Sequence, residues 1–100
     1  MRILVSTDAE KDLVDGARFY DSLEYGLGDY FIDSLSSDLD SLLLYAGIHG
    51  QVWGYYRMLS QRFPYAIYYS LEDDLIRIHA VLDCRQDPDK IQKRIQPQSP

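Results

Sequence analysis

Cysteine is nearly absent: Cys84 stands alone, so no internal disulfide can form, which suits a reducing compartment. That cysteine and two histidines, His49 and His79, show no ligand spacing, so neither a metal nor another cofactor is expected. Long apolar runs are missing too. Ile3-Leu4-Val5 and Leu42 to Ala46 fall far short of the ~20 apolar residues a bilayer helix needs. Met1-Arg2 leads straight into a strand-like stretch with no secretory pattern, so the expectation is a cytoplasmic protein with no membrane partner. Lysine is absent from residues 51–89, and bases are few overall, 10 against 16 acids, for a net charge of −6. Such a chain lacks the broad positive field that drives generic phosphate binding.

What is present describes one globular domain. Of 100 residues, 46% are apolar and 26% charged, a balance that supports a core and argues against disorder. The charge is unevenly spread. Residues 1–50 hold three bases and ten acids (3 − 10 = −7), and residues 51–100 hold seven bases and six acids (7 − 6 = +1). Between Gln51 and Leu71 stand two arginines, Arg57 and Arg62, and no acid.

The hydrophobic pattern changes period halfway. Arg2 to Ser6 reads as a short strand. Thr7-Asp8-Ala9-Glu10 has capping-box spacing, and Leu13, Ala17, Tyr20 and Leu23 follow on one helical face. Gly26-Leu27-Gly28 ends that helix. A second helix runs from about Asp29 to Ala46 on the stripe Phe31, Leu35, Leu39, Leu42 and Ala46, with Asp33, Asp38 and Asp40 on other faces. The short link implies an antiparallel helical hairpin. After a Gly47–Gly50 loop, Val52–Leu59, Phe63–Leu71 and Leu75–Leu82 read as three strands, the last two joined by a Glu72-Asp73-Asp74 turn. Trp53 is assigned to core or sheet pairing. Asp87-Pro88 opens a short C-terminal helix with Ile91 and Ile95 inward. The expected fold is α+β, in the order β-αα-βββ-α, with the hairpin packed on one face of a mainly antiparallel four-stranded sheet. Residues 1–95 form the single domain and 96–100 a frayed tail. Strand alternation puts Ile76, Ile78, Ala80 and Leu82 on one face and Arg57, Tyr68, Arg77 and His79 on the opposite one.

Several stretches, in this order and spacing, resemble the RelE/ParE superfamily of type II toxins, in its ParE-like plasmid-stabilisation branch. They are Gly26-Leu27-Gly28, Gly54-Tyr55-Tyr56-Arg57-Met58-Leu59, Arg62-Phe63-Pro64-Tyr65-Ala66-Ile67-Tyr68-Tyr69 and Arg85-Gln86-Asp87-Pro88. The resemblance spans roughly residues 3–95. It implies the fold just described and a growth-inhibiting toxin neutralised by a cognate antitoxin. ParE-like members poison DNA gyrase, whereas RelE-like members cut mRNA in the ribosome.

Cleavage at a 2′-hydroxyl needs a proton acceptor, a cation for the phosphorane charge and an acid for the leaving oxygen. The candidates here are Arg57, Arg62 and Arg85 around the phosphate, with His79 or Tyr68 assisting. Asp83 stands where many relatives carry His, and Ile91 where an aromatic is common. Arginine is a poor proton shuttle, and His79 is the one nearby group that titrates close to neutrality. The residues therefore favour a toxin that binds a protein target such as gyrase over an enzyme. The antitoxin is expected on Arg57, Arg62, Tyr68, Arg77 and Arg85. A ribosome-dependent mRNA endonuclease is the alternative, and a non-toxic remnant that keeps only its antitoxin surface is a third reading.

Overall fold

The computed structural model describes residues 1–96; positions 97–100 of the expected frayed tail lie outside the described residues. The elements are β1 (Arg2–Val5), α1 (Thr7–Leu23), α2 (Leu27–Tyr45), β2 (Gln51–Val52), β3 (Tyr55–Leu59), β4 (Tyr65–Glu72), β5 (Leu75–Asp83) and α3 (Pro88–Ile95). The α+β architecture matches the expectation, but the sheet has five strands, in the order β1-β5-β4-β3-β2. β1 lies parallel to β5, and the other three pairings are antiparallel. The fifth strand arises because the expected strand Val52–Leu59 is folded on itself. Trp53 and Gly54 both take positive φ (51° and 85°), the conformation of a two-residue hairpin turn whose twist suits its strands. Trp53 therefore stands at a hairpin tip, 41% exposed, and not in the core.

The N-cap of helix α1 falls one residue earlier than expected, and Thr7 is the first helical residue. Ser6 is the N-cap, and its Oγ accepts from the Ala9 amide (3.1 Å). The Ser6 amide donates to the Ile78 carbonyl (3.0 Å), so the last bond of the β1–β5 pairing and the helix cap share one residue. At the hairpin turn, Gly26 has φ 89°, and Asp21 Oδ1 accepts from the Gly26 and Gly28 amides (3.0 and 3.2 Å). That carboxylate occupies the positive N-terminal end of α2. Gly28 is required by proximity: a Cβ there would lie 2.6 Å from the Ala17 carbonyl oxygen. Leu23, expected inward, is exposed, because α1 ends there and the chain turns away.

The sheet is covered on both faces. The hairpin packs Ala9, Tyr20, Phe31, Leu35, Leu39 and Leu42 against Met58, Tyr65, Ile67, Tyr69, Ile76, Ile78 and Val81. Within this layer Tyr20, Phe31, Phe63 and Tyr65 form an aromatic cluster, the Tyr20–Phe63 centroids 4.8 Å and the Phe31–Tyr65 centroids 4.9 Å apart. The second face packs Ala66, Tyr68, Ala80 and Leu82 under Ile95 and Ile91 of α3. Ile76, Ile78, Ala80 and Leu82 thus do not share a face. Tyr69 pairs with Ile78 and Tyr68 with Ala80, leaving His79 as an extra residue. This bulge reverses the alternation of everything after it. Arg57, Tyr68, Arg77 and His79 keep their expected side.

Helix α3 starts as expected: Asp87 caps the Asp89 amide (2.9 Å) and Pro88 opens the first turn. Its far end is clamped by Arg94, whose two terminal nitrogens bond the two oxygens of Asp12 on α1 at 2.8 Å each. Asp12 Oδ2 also accepts from the Val81 amide on β5 (3.0 Å).

Two predictions follow from packing and polar satisfaction. Gly28→Ala should lower stability by about 1–3 kcal/mol through overpacking against α1, read as a drop in thermal midpoint. Asp12→Ala strands the Val81 amide and the Arg94 guanidinium together, and should cost ~1–3 kcal/mol in urea unfolding.

Candidate functional site

The sequence-selected residues do not converge on one point. Arg57, on β3, is half-buried on the α3 face. Its Nε donates to the Tyr68 hydroxyl (3.3 Å) and its Nη2 approaches Cys84 Sγ (3.5 Å). The Tyr68 bond, against the opposing cost of burial, raises the guanidinium pKa above its ordinary value. Tyr68 itself is 2% exposed beneath α3. Arg62 stands exposed in the link between β3 and β4, with no hydrogen-bonding partner among the described residues.

Arg77 pairs with Glu72 (3.3 Å) near the β4–β5 turn. His79 sits in the bulge, its Nε2 2.7 Å from Ser70 Oγ and its ring 4.6 Å from that of Tyr55. Burial, with help from the Arg77 charge, holds the His79 pKa below the ordinary 6.5. Arg85 reaches the other face, toward the hairpin. It forms a two-pronged pair with Asp83 (3.0 and 2.8 Å), and its Nη2 donates to the Tyr20 hydroxyl (3.2 Å). This pairing holds the Asp83 carboxyl below its ordinary 3.8. Beside it, burial foremost pushes the Tyr65 phenol up to about 12.

Three arginines expected around one phosphate are therefore on two faces of the sheet and one loop. Two have committed partners, and Tyr68 is sealed under a helix. The cleft between α1, β5 and α3 is lined by Asp12, Asp15 and Asp83 with Arg94, an acid-rich set unsuited to cradling RNA. Among the described residues no group of three or more His, Cys, Asp or Glu could hold a metal, and no helix is long and apolar enough to cross a membrane.

Sequence reasoning missed some polar residues that shape these surfaces. Asp12 and Arg94 are 82 positions apart, beyond any local pattern. Asp38, grouped with solvated acids, is buried on α2 and accepts from Ser60 Oγ. It also missed an exposed apolar strip at the end of α2 and beyond: Leu43, Leu44, Tyr45 and Ile48. The legible sign of that strip was the long acid-free stretch, which runs from Ser41 to Leu71.

Hairpin, mainly antiparallel sheet and clamped C-terminal helix together define an α+β fold. A chain of a solved structure described as "Chromosomal ParDE TA system from P. aeruginosa" is similar in fold, with a TM-score of 0.74 at 17% sequence identity, over 81% of this chain and 92% of that one. No protein-family model and no curated protein matches the chain. At 17% identity the likeness is one of backbone, held by pattern and packing more than by shared side chains.

The lowered His79 pKa fixes the sign of a pH effect. The unfolded chain takes up this proton near pH 6.5, before the folded chain does. The contribution of neutral His79 to stability is thus complete above that pH, shrinks as pH falls, and levels off below the folded pKa. His79→Gln, which can still bond Ser70, should lose less stability than wild type between about pH 7.5 and pH 5.5 in urea titrations. Equal losses in the two proteins would contradict the assignment.

Proposed function

We propose that this chain is the toxin of a type II toxin–antitoxin pair, of the ParE type, acting in the cytoplasm by protein contact and neutralised by a cognate antitoxin. The observation that carries this reading is the fold, shared at a TM-score of 0.74 with a chain of a ParDE system. DNA gyrase is the target within this proposal. The site geometry favours contact over bond chemistry. Arg62 and Arg85 present cations at the surface, where arginine serves interfaces through planar, multi-donor bonding. Arg77 adds a half-exposed cation paired with Glu72, which a partner carboxylate can replace. Tyr68 acts indirectly, by fixing the half-buried Arg57. Among the described residues no histidine is hydrogen-bonded to Arg57, Arg62 or Arg85, and His79 is engaged with Ser70.

Purified chain should inhibit gyrase-catalysed supercoiling of relaxed plasmid, and its induction in cells should arrest growth. Normal supercoiling at saturating chain, together with codon-positioned cuts in mapped transcripts, would replace this reading with the mRNA endonuclease. Unimpaired growth on strong expression would replace it with the non-toxic remnant.

A further inference from the structure

Asp38 is an acid that the fold buries without a counter-charge. It lies on α2, 8% exposed, and among the described residues it makes no ion pair. Asp12, the other acid held largely inside, has Arg94 opposite it. The Asp38 Oδ2 accepts from Ser60 Oγ, whereas Oδ1 has no hydrogen-bonding partner among the described residues. Nor is Oδ1 sealed: among those residues the unpartnered side-chain atom that is fully closed off is Ser34 Oγ. A carboxylate offers about four lone-pair sites, and holding its charge in a wall with so few of them used is costly.

That carboxylate opens on a cleft of about 240 Å³ between the end of α2, the loop after it and β3. No other Asp or Glu lines the cleft, and no Lys or Arg does. Arg57 turns to the α3 face, where it bonds Tyr68, and Arg62 lies outside the lining, so neither offsets the charge. The polar neighbours are short of donors. Ser41 Oγ gives its proton to the Asp38 carbonyl (2.6 Å), so toward the cleft it can only accept. His49 is tied through Nδ1 to the Tyr69 hydroxyl. Ile48, Met58 and Leu59 make the remaining walls aliphatic. One full negative charge, acceptors beside it and an apolar channel call for a ligand with several N–H donors and a carbon stem.

We propose that the Asp38 cleft binds a small free organic cation, a guanidinium or primary ammonium head on a short aliphatic stem. The head donates to Asp38 Oδ1 and Ser41 Oγ in charge-assisted bonds, and the stem lies along Met58, Leu59 and Ile48. A divalent metal ion fits poorly, because it would need more anionic oxygens than one carboxylate supplies, and among the described residues no acidic or histidine cluster stands there. The inference is independent of the toxin reading, since it stands on a buried charge and the cleft that charge faces.

The test is a titration of the full ¹⁵N-labelled chain with n-butylguanidinium chloride at constant ionic strength, followed through backbone amide shifts. Saturable shifts should centre on Asp38–Ser41, Ile48–His49 and Met58–Gln61, and n-butylammonium should reproduce them. n-Butanol, the same stem without the charge, should bind at least about tenfold more weakly. The cation should lose affinity to the same degree with Asp38→Asn, which keeps an acceptor for Ser60. Gln61→Lys, at an exposed position that leaves the fold intact, should also weaken binding by bringing a tethered ammonium to the cleft. No saturable shifts up to about 20 mM cation, an equal response to n-butanol, or affinity unchanged by both substitutions would overturn the proposal. So would acetyl-arginine-methylamide binding at least about tenfold more tightly than n-butylguanidinium, which would give the cleft to a side chain of a partner protein.

Discussion

The Asp12 carboxylate ties three elements, α1, β5 and α3, together at one point. It sits on α1, accepts the Val81 amide of β5 and receives the forked guanidinium of Arg94 from α3. The Val81 amide needs such a partner because β1 pairs no further along β5 than Ile78. Beyond that point the edge of β5 would carry an unpaired donor between two packed layers, a costly arrangement. Asp12 removes that cost and uses its remaining capacity to hold α3. The side chain is nearly buried while Arg94 is partly exposed, so the pair is worth more as a positional constraint than as a surface ion pair.

With α3 held, the surfaces of the molecule are decided. Ile91 and Ile95 cover Tyr68, Ala80 and Leu82, closing most of the face that an alternating pattern would leave for ligands. The bulge at His79 makes this possible, since it turns Ala80 and Leu82 toward α3 while keeping Ile76, Ile78 and Val81 under the hairpin. The cations that stay open are peripheral: the Arg62 loop and the Arg85 corner. Peripheral cations suit a partner protein better than a small substrate.

Much of this was legible in the sequence. The α2 stripe Phe31, Leu35, Leu39 and Leu42 is buried as its period requires, and Asp87-Pro88 opens α3. Phe63, Tyr65, Ile67, Tyr69 and Leu71 share the hairpin face. The misses have physical causes. Trp53-Gly54 is a hairpin turn inside a run of strand formers, and only Gly54 hinted at the positive φ required there. A bulge has no local signature, so one extra residue in β5 reversed the faces of Ala80 and Leu82. The parallel β1–β5 pairing and the Asp12–Arg94 clamp join the two ends of the chain, where periodicity is silent. For the candidate site, the residue types and the sheet side of Arg57, Tyr68, Arg77 and His79 were readable. Their separate partners were not, because each depends on a side chain distant in sequence or on turn geometry.

The central claim is that one buried carboxylate seats α3 over the second face and so determines which surfaces partners can reach. Native-state amide hydrogen exchange tests it directly. The Val81 amide and the amides of Lys90 to Ile95 should share slow, correlated exchange in wild type, and should be released together at low denaturant when Asp12 is replaced by Asn. Fast exchange throughout α3 in wild type, with Val81 still protected, would contradict it.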